Sequence, residues 1–179
     1  FQTLCPAAWS AAQQFYMNCG FVEVEREIQM VWDGELAHLP ARPSLSVSIE
    51  KVSDPASYAE PISALHNISY KDDAAFVEWS VTGMAELLTE GAELIVAREH
   101  GRLVSYCHLE SEPGMIWIES VATKPTCRRR GVATMLCSYA MQLAVGRGCR
   151  VLLQVSSNNP SALALYRKLG FRELTSAAR

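Results

Sequence analysis

The sequence lacks the features that mark membrane-spanning, metal-binding or disulfide-stapled proteins. No apolar run approaches the eighteen or so residues needed to span a bilayer, and no basic-then-apolar signal segment is present. Six cysteines occur, but none forms a CxxC pair and no histidine lies at zinc-finger spacing from them. A chain of 179 residues can bury a core without disulfides, so we expect a reduced, cytoplasmic protein without a metal.

Charge is distributed unevenly, although the net charge is only −3. Residues 1–123 carry 18 acidic and 6 basic side chains, whereas residues 124–179 carry 1 acidic and 10 basic ones. The basic part lacks the interleaved aromatic residues of nucleic-acid-binding surfaces, so no nucleic-acid partner is expected. The two parts either neutralise each other in the fold or face a polyanion and a cation, respectively.

Hydrophobic periodicity predicts an α/β protein, of mixed α+β type, with a mixed sheet. An Ala-rich helical stretch runs to about Gln14, and residues 35–44, with two prolines, are predicted to be a linker. The predicted strands are 21–32, 45–52, 93–97, 103–109, 115–123, 151–155 and 171–174, and the predicted helices are 55–69, 75–89, 132–145 and 160–169.

One internal repeat is visible, with a constant offset of 150 residues. The segment Ala12-x-x-Phe15-Tyr16-x-x-x-Gly20-Phe21-x-Glu23-Val24 matches Ala162-x-x-Leu165-Tyr166-x-x-x-Gly170-Phe171-x-Glu173-Leu174. Agreement at seven positions in register favours a real repeat of a helix followed by a strand.

The segment between the strand 115–123 and the helix 132–145 is suited to binding an anion. It contains Arg128-Arg129-Arg130-Gly131-Val132-Ala133 and is neither a Walker loop nor a GxGxxG motif. Backbone N–H groups at such a strand–loop–helix junction converge on one point, and the helix dipole and the arginines add positive potential. An ordinary loop with solvated arginines is the alternative.

Two motifs resemble the signatures of the GNAT superfamily of N-acetyltransferases. Arg128-x-x-Gly131-x-Ala133 is similar to the family's Q/R-x-x-G-x-G/A loop, which holds the pyrophosphate of acetyl-coenzyme A. Asn159-x-x-Ala162-x-x-Leu165-Tyr166-x-x-x-Gly170-Phe171 is similar to the second signature, in the right order and at the usual distance. The resemblance implies a mostly antiparallel central sheet with helices on both faces.

The resemblance also implies acetyl-CoA as co-substrate and no metal. The pantetheine arm is expected to pair with the end of the strand 115–123, and the phosphates with the loop and the helix that follows. The expected cofactor-binding residues are Val121, Ala122, Thr123, Arg128, Arg129, Arg130, Gly131, Val132, Ala133, Thr134 and Asn159. Asn159 caps its helix, contacts the pantetheine or does both, and Asn158 takes its place if the register differs by one.

The implied reaction is direct transfer of the acetyl group to a primary amine in a ternary complex. Tyr166 matches the family's general-acid tyrosine, which protonates the leaving thiolate. Glu119 is the expected base because alternation places it on the face of Val121. A structural carboxylate is an equally good interpretation of Glu119, and His108 and Glu110 are further candidates.

The domain assignment follows from the repeat and the motifs together. Residues 1–44 are expected to be a partial GNAT-like helix–strand repeat with a linker, and residues 45–179 an acetyltransferase domain of bacterial type. We expect the strand 21–32 to fill the last place in the sheet, in the same chain or in a partner. The acceptor is a small-molecule amine or a protein amino group, with no membrane partner, and homodimerisation is left open. The alternative function is a non-catalytic module that binds acyl-CoA or is purely structural.

Overall fold

A computed structural model describes residues 5, 10–23, 25–34, 47–71, 76–89 and 91–174. The predicted linker 35–44 therefore lies outside the described residues. The helices are α1 (Ser10–Asn18), α2 (Ala59–Tyr70), α3 (Val81–Leu87), α4 (Val132–Arg147) and α5 (Pro160–Lys168). The strands are β1 (Glu27–Trp32), β2 (Val47–Lys51), β3 (Ala92–Glu99), β4 (Arg102–Glu112), β5 (Met115–Thr123), β6 (Arg150–Ser156) and β7 (Arg172–Glu173).

The described strands form one mixed sheet in the order β2-β3-β4-β5-β6-β1-β7. All neighbours are antiparallel except β5 and β6, which run parallel. A parallel pair needs a crossover, and α4 supplies it. The predicted mixed, mostly antiparallel α/β architecture is confirmed.

Helices cover both faces of the sheet, as the alternation of apolar residues along its strands requires. On β3, Ile95 and Ala97 join the buried cluster that contains α4 and α5 residues. Leu94 and Val96 join the second cluster, which contains residues of α2 and α3. The face that carries α4 and α5 is called the α4 face below, and the other the α2 face.

Strand β1 is inserted between β6 and β7, pairing antiparallel with both. Its residues Met30 and Trp32 are buried against the α4 face. The expectation that this segment joins the sheet beside the strand after Phe171 is confirmed, but β7 and not this segment takes the last place, and the predicted length is wrong. The strand starts at Glu27 rather than residue 21, because its partner β6 ends opposite, at Ser156. The division of the chain at residue 44 stays a prediction.

The internal repeat is also a repeat of local structure. Phe21 N–H donates to the Tyr16 carbonyl at 3.0 Å, and Phe171 N–H donates to the Tyr166 carbonyl at 3.0 Å. Both helices end at a glycine with positive φ, Gly20 at 85° and Gly170 at 89°. The surroundings differ, because α1 has no buried residue whereas α5 buries Leu163 and Tyr166.

Helix α4 is tied to β3 at both of its ends by ion pairs. Near the N-terminus of the helix, Arg130 pairs with Glu99. At its C-terminus Arg147 contacts Glu93 with nitrogen–oxygen distances of 2.5 and 2.8 Å. Glu93 also pairs with Lys51 of β2 at 2.5 Å. These contacts fix the direction of α4 and therefore the position of the loop in front of it.

Replacing Glu93 with Gln should remove stability that depends on pH. The hydrogen bond from Arg147 is the main reason why the pKa of Glu93 falls from 4.5 to about 2. A carboxyl whose pKa is lowered by folding stabilises the fold at any pH above its unfolded-state pKa. This stabilisation is lost as the pH falls towards the folded-state pKa of about 2. We expect a loss of about 1–2 kcal/mol at pH 7, allowing for partial exposure, that shrinks towards zero near pH 2. Urea unfolding across this range measures it, with the exposed Glu86→Gln as control; a pH-independent loss would contradict it.

Candidate active site

The parallel strands β5 and β6 pair for only part of their length. Met115–Ile118 pairs with Arg150–Leu153, and beyond these residues no pairing joins the two strands. A cleft of about 410 Å³ lies where they separate. Its walls come from β1, β4, β5 and β6: Glu27, Glu112, Trp117, Ile118, Glu119, Gln154, Val155 and Ser156.

A β-bulge at Glu119 changes the facing of β5 at this point. His108 of β4 is opposite Ser120, and Leu109 is opposite Ile118, so Glu119 is the extra residue. Ile118 and Val121, three positions apart, both pack against the α4-face cluster. The prediction that Glu119 lies on the face of Val121 is therefore wrong, because the inserted residue reverses the alternation of side chains along β5.

The edge of β5 beyond the bulge presents backbone carbonyls away from β4. Tyr70 Oη donates to the Val121 carbonyl at 2.8 Å. The Thr123 carbonyl accepts from Ser69 Oγ at 3.3 Å and from Arg128 Nε at 3.2 Å. The Ala122 carbonyl, in contrast, accepts from Ser105 Oγ at 2.7 Å on the β4 side. The last turn of α2 thus lies along the strand edge that sequence analysis assigned to the pantetheine arm.

The loop before α4 leaves backbone donors without acceptors. Gly131 has φ 81° and starts the helix without a side-chain cap. No hydrogen bond within the described part of the chain uses the N–H groups of Val132, Ala133 or Thr134, which are the first three of a sixteen-residue helix. Unpaired N–H groups at a helix N-terminus attract an anion. This geometry suits the predicted phosphate contacts.

The three arginines of the loop have different surroundings. Arg128 is turned towards the end of α2 and donates to the Ser69 carbonyl at 2.5 Å. Arg130 pairs with Glu99. Arg129 is exposed, has a left-handed φ of 61°, and makes no hydrogen bond or ion pair with the described residues. Of the three arginines, Arg129 is therefore the one whose guanidinium no described residue engages.

Asn159 caps α5, since its Oδ1 accepts from Ala162 N–H at 3.0 Å. One of the two roles expected for it is therefore present, and contact with the pantetheine stays a prediction. Asn158, the alternative, is exposed one residue earlier, and its own N–H donates to Ser156 Oγ at 3.0 Å.

Tyr166 is buried on the α4 face, with 8% of its surface exposed. Its ring packs edge-to-face on Phe171, with 5.7 Å between the ring centroids. Burial, followed by the nearby Cys137, Tyr70 and Cys107, raises the pKa of the phenol well above its ordinary value. Tyr166 therefore keeps its proton across the physiological range, as a proton donor must.

The predicted base Glu119 lies at the cleft and is exposed. Burial, and then repulsion from Glu110 and Glu112, raises the pKa of its carboxyl. His108 lies buried on β4, and neither of its ring nitrogens has a partner within the described ranges. Burial lowers the pKa of His108, so its imidazole is neutral.

Sequence reasoning missed a hydrogen-bonded cluster on the α2 face. His66 Nδ1 lies 2.7 Å from Tyr106 Oη, and Ser120 Oγ donates to the same phenol at 3.3 Å. The His66 ring lies 4.5 Å from the ring of Tyr70, one helical turn later. The i, i+4 spacing of His66 and Tyr70 was the available signal, but nothing local to α2 indicates that it meets Tyr106 and Ser120.

Among the described residues, no group of three or more His, Cys, Asp or Glu side chains is arranged to hold a metal ion. None of the helices there combines the length and apolar character needed to cross a membrane.

Comparison with known families identifies the fold. Residues 58–171 match the model of the acetyltransferase (GNAT) family, which is more than half of the chain. The chain belongs to the GNAT family. The match includes the bulged strand β5, the loop before α4 and Tyr166, and ends at Phe171.

Curated relatives of this GNAT chain are acetyltransferases. It is 34% identical over 92 residues to mycothiol acetyltransferase from Clavibacter michiganensis, covering 50% of this chain and 30% of the relative. It is 30% identical over 93 residues to the N-alpha-acetyltransferase RimI of Mycobacterium tuberculosis, covering 50% of this chain and 58% of that protein. The chain thus matches less than two thirds of the length of either relative.

Solved structures share the fold of this GNAT chain at low sequence identity. A GCN5-related N-acetyltransferase from Sphaerobacter thermophilus has a TM-score of 0.74 and 19% identity, covering 92% of this chain and 53% of its own. The ribosomal-protein-S18-alanine N-acetyltransferase of Escherichia coli has a TM-score of 0.63 and 21% identity, covering 72% of this chain and 79% of its own. An aminoglycoside N-acetyltransferase in complex with CoA has a TM-score of 0.58 and 16% identity, covering 73% and 91%.

Proposed function

We propose that the chain is an acetyl-CoA-dependent N-acetyltransferase that transfers the acetyl group to a primary amine by direct attack. The observation that carries the proposal is the edge of β5 beyond Ile118, which no described strand pairs with, beside a loop with unpaired backbone donors. The edge exists because β5 and β6 stop pairing after Ile118 and Leu153, and the loop follows the same strand.

The residues present fit acetyl-CoA. The N–H groups of Val132, Ala133 and Thr134 lack acceptors among the described residues and are suited to phosphate oxygens. Gly131, with a φ of 81°, has no side chain at the start of the helix, and Arg129 adds charge from an exposed position. Beyond the bulge, the Val121 and Thr123 carbonyls point away from β4, where they accept side-chain hydrogen bonds from Tyr70 and Arg128 and no described strand pairs with them. An extended chain that pairs with this edge would use the same backbone groups. When bound, acetyl-CoA supplies an acyl group activated as a thioester.

Tyr166 is the proposed general acid. It holds its proton at neutral pH, and Cys107 is one of the groups that raise its pKa. Tyr166 belongs to the α4-face cluster, and Val121, which lies opposite Cys107 just beyond the bulge, packs against the same cluster. We propose that the phenol donates its proton to the departing sulfur, whose thiol has a parent pKa of about 8.5.

The acceptor amine is proposed to enter the acidic cleft. Glu119, Glu112 and Glu27 line it beside Trp117, so a cationic amine is attracted by charge and contacts an aromatic surface. Glu119 remains the proposed catalytic carboxylate, which either anchors the ammonium group or accepts its proton. The relatives named for aminoglycoside and N-alpha acetylation are consistent with an amine acceptor of either kind.

Calorimetric titration of acetyl-CoA into the chain tests this proposal. We expect saturable binding that Gly131→Glu weakens by at least about tenfold, because the new carboxylate repels the phosphates at the helix N-terminus. Gly148→Glu is the matched control, since Gly148 ends the same helix with a φ of 64° and a similar strain. Absence of binding by the unmodified chain, or equal loss in both variants, would refute the proposal.

A further inference from the structure

We infer that the proton released by the acceptor amine leaves through a hydrogen-bonded chain of Ser120, Tyr106 and His66, with His66 as its final acceptor. The inference rests on the proposed acetyl transfer and adds residues that the family resemblance did not assign. In it Ser120 contacts the amine, whereas Tyr106 and His66 are positioning residues that act through Ser120.

The direction of proton transfer along the three hydrogen-bonded side chains follows from which of their groups can donate. Ser120 Oγ donates to Tyr106 Oη at 3.3 Å, and Tyr106 Oη lies 2.7 Å from His66 Nδ1. The phenol has a single proton and no other hydrogen-bond partner among the described residues. In the proposed route that proton is donated to Nδ1, which requires the His66 tautomer that is protonated at Nε2. A proton accepted by Ser120 can move along these bonds to His66 without any side chain changing place.

The proton route begins at Ser120, next to the residues where acetyl transfer is expected. Ser120 directly follows the bulged Glu119, which lines the cleft, and directly precedes Val121 on the open strand edge. Tyr70 connects His66 with the edge of β5, because its ring packs on His66 and its hydroxyl donates to the Val121 carbonyl. His66 is only partly buried, so a proton that reaches it can pass on to solvent.

Charge explains why a second proton acceptor is useful. The carboxylates of Glu112, Glu119 and Glu27 attract an ammonium ion, but they also stabilise its charged form and so oppose its deprotonation. A neutral imidazole outside this cluster can take the proton without weakening the attraction. The balance is simple: the ammonium loses one proton, Ser120 and Tyr106 each gain one and pass one on, and His66 becomes an imidazolium.

The surroundings of His66 keep it ready for this role. The groups that face it are Tyr70 on its own helix, Trp79 ahead of α3, and Tyr106 on β4, with His108 two residues further along that strand. Burial alone lowers the pKa of His66 below its ordinary value, so the ring is neutral at pH 7. Burial raises the pKa of Tyr106, which therefore relays protons as a phenol and not as a phenolate.

Nitrogen NMR of the histidine-labelled chain tests the hydrogen bonds without any acceptor. We expect the His66 ring to be protonated at Nε2 with Nδ1 accepting, and Tyr106→Phe to shift both the tautomer balance and the His66 pKa. His100, in the exposed β3–β4 turn, is the internal reference that should not change. A proton on Nδ1 of His66 in the unmodified chain at pH 7.5 would overturn the inference.

A pH profile tests the role in turnover. Thiol release from acetyl-CoA is followed with the fastest acceptor among glucosamine, spermidine and a tripeptide amide with a free N-terminus. His66→Asn should lower kcat by about 10²-fold at pH 7. The defect should shrink to within about threefold at pH 9.5, because an amine with a pKa near 10 is then partly neutral without help. The acetyl-CoA affinity and the His100→Asn control should be unchanged.

The outcomes separate the inference from the function it rests on. If the unmodified chain binds no acetyl-CoA, the proposed function fails. If it turns over and His66→Asn has no effect, or the same effect at every pH, only the proton route fails. A pH-dependent defect in Glu119→Gln without one in His66→Asn would assign the base to Glu119 and overturn the route.

Discussion

Replacing Tyr166 with Phe should lower kcat by about 10²- to 10³-fold while acetyl-CoA binds as before. The substitution removes only the hydroxyl, and the ring keeps its edge-to-face contact with Phe171. Because the phenol is protonated at every physiological pH, its contribution is made when the sulfur leaves and not when the cofactor binds. Steady-state kinetics with calorimetry of acetyl-CoA binding separates the two effects.

The repeat supplies the matched control for this prediction. Tyr16 occupies the position equivalent to Tyr166, with the same hydrogen bond from the following phenylalanine and a similar ring contact, at 5.4 Å. It lies on α1, which buries nothing in the described structure. Tyr16→Phe should leave turnover unchanged. If Tyr166→Phe behaves like Tyr16→Phe, then Tyr166 is a core aromatic and not the acid.

The parts of the site that depend on local sequence could be predicted. Gly131 and the apolar periodicity of α4 define a helix that starts at a glycine, and the structure places that start at Val132. Asn159 followed by Pro160 predicts a capped helix, and the cap is present at 3.0 Å. In both cases one residue type satisfies a backbone requirement within a few residues, so the signal lies in the sequence itself.

Features that depend on contacts between distant segments could not be predicted in this way. The bulge at Glu119 arises from how β5 pairs with β4, and nothing in the sequence of β5 indicates an inserted residue. The contacts of Arg128 with Ser69 and of Arg130 with Glu99 span 59 and 31 residues. The sequence shows three arginines beside the loop, but two of their guanidinium groups are already bound to other residues. The number of arginines therefore overstates how many are available to bind phosphate.

The place of β1 is the exception among long-range features, because the repeat made it predictable. Residues 12–24 resemble residues 162–174, so the strand that follows the first copy was expected to lie beside the strand after Phe171. It pairs with β6 from Glu27 to Trp32 and with β7 at Met30 and Val31. Since Glu27 also lines the cleft, the N-terminal part of the chain contributes to both the sheet and the candidate acceptor site.

Replacing Trp32 with Ala should therefore destabilise the whole fold, by about 3–5 kcal/mol. Trp32 is 3% exposed in the α4-face cluster, and its ring lies 3.6 Å from where a side chain on Gly170 would begin. The cavity would form directly beneath the turn that ends α5, four residues after Tyr166. Urea unfolding should show one cooperative transition at lower denaturant, and kcat should fall as the support of Tyr166 loosens.

Phe15→Ala is the control for this substitution, because Phe15 is an aromatic residue of the same N-terminal segment but is 61% exposed. It should change stability by no more than about 0.5 kcal/mol. Equal, small effects of both substitutions would mean that β1 does not unfold with the rest of the sheet, and a separate early transition would mean that it detaches first. A large loss confined to Trp32→Ala would make β1 a structural strand of the acetyltransferase fold, inserted from the N-terminal side of the chain.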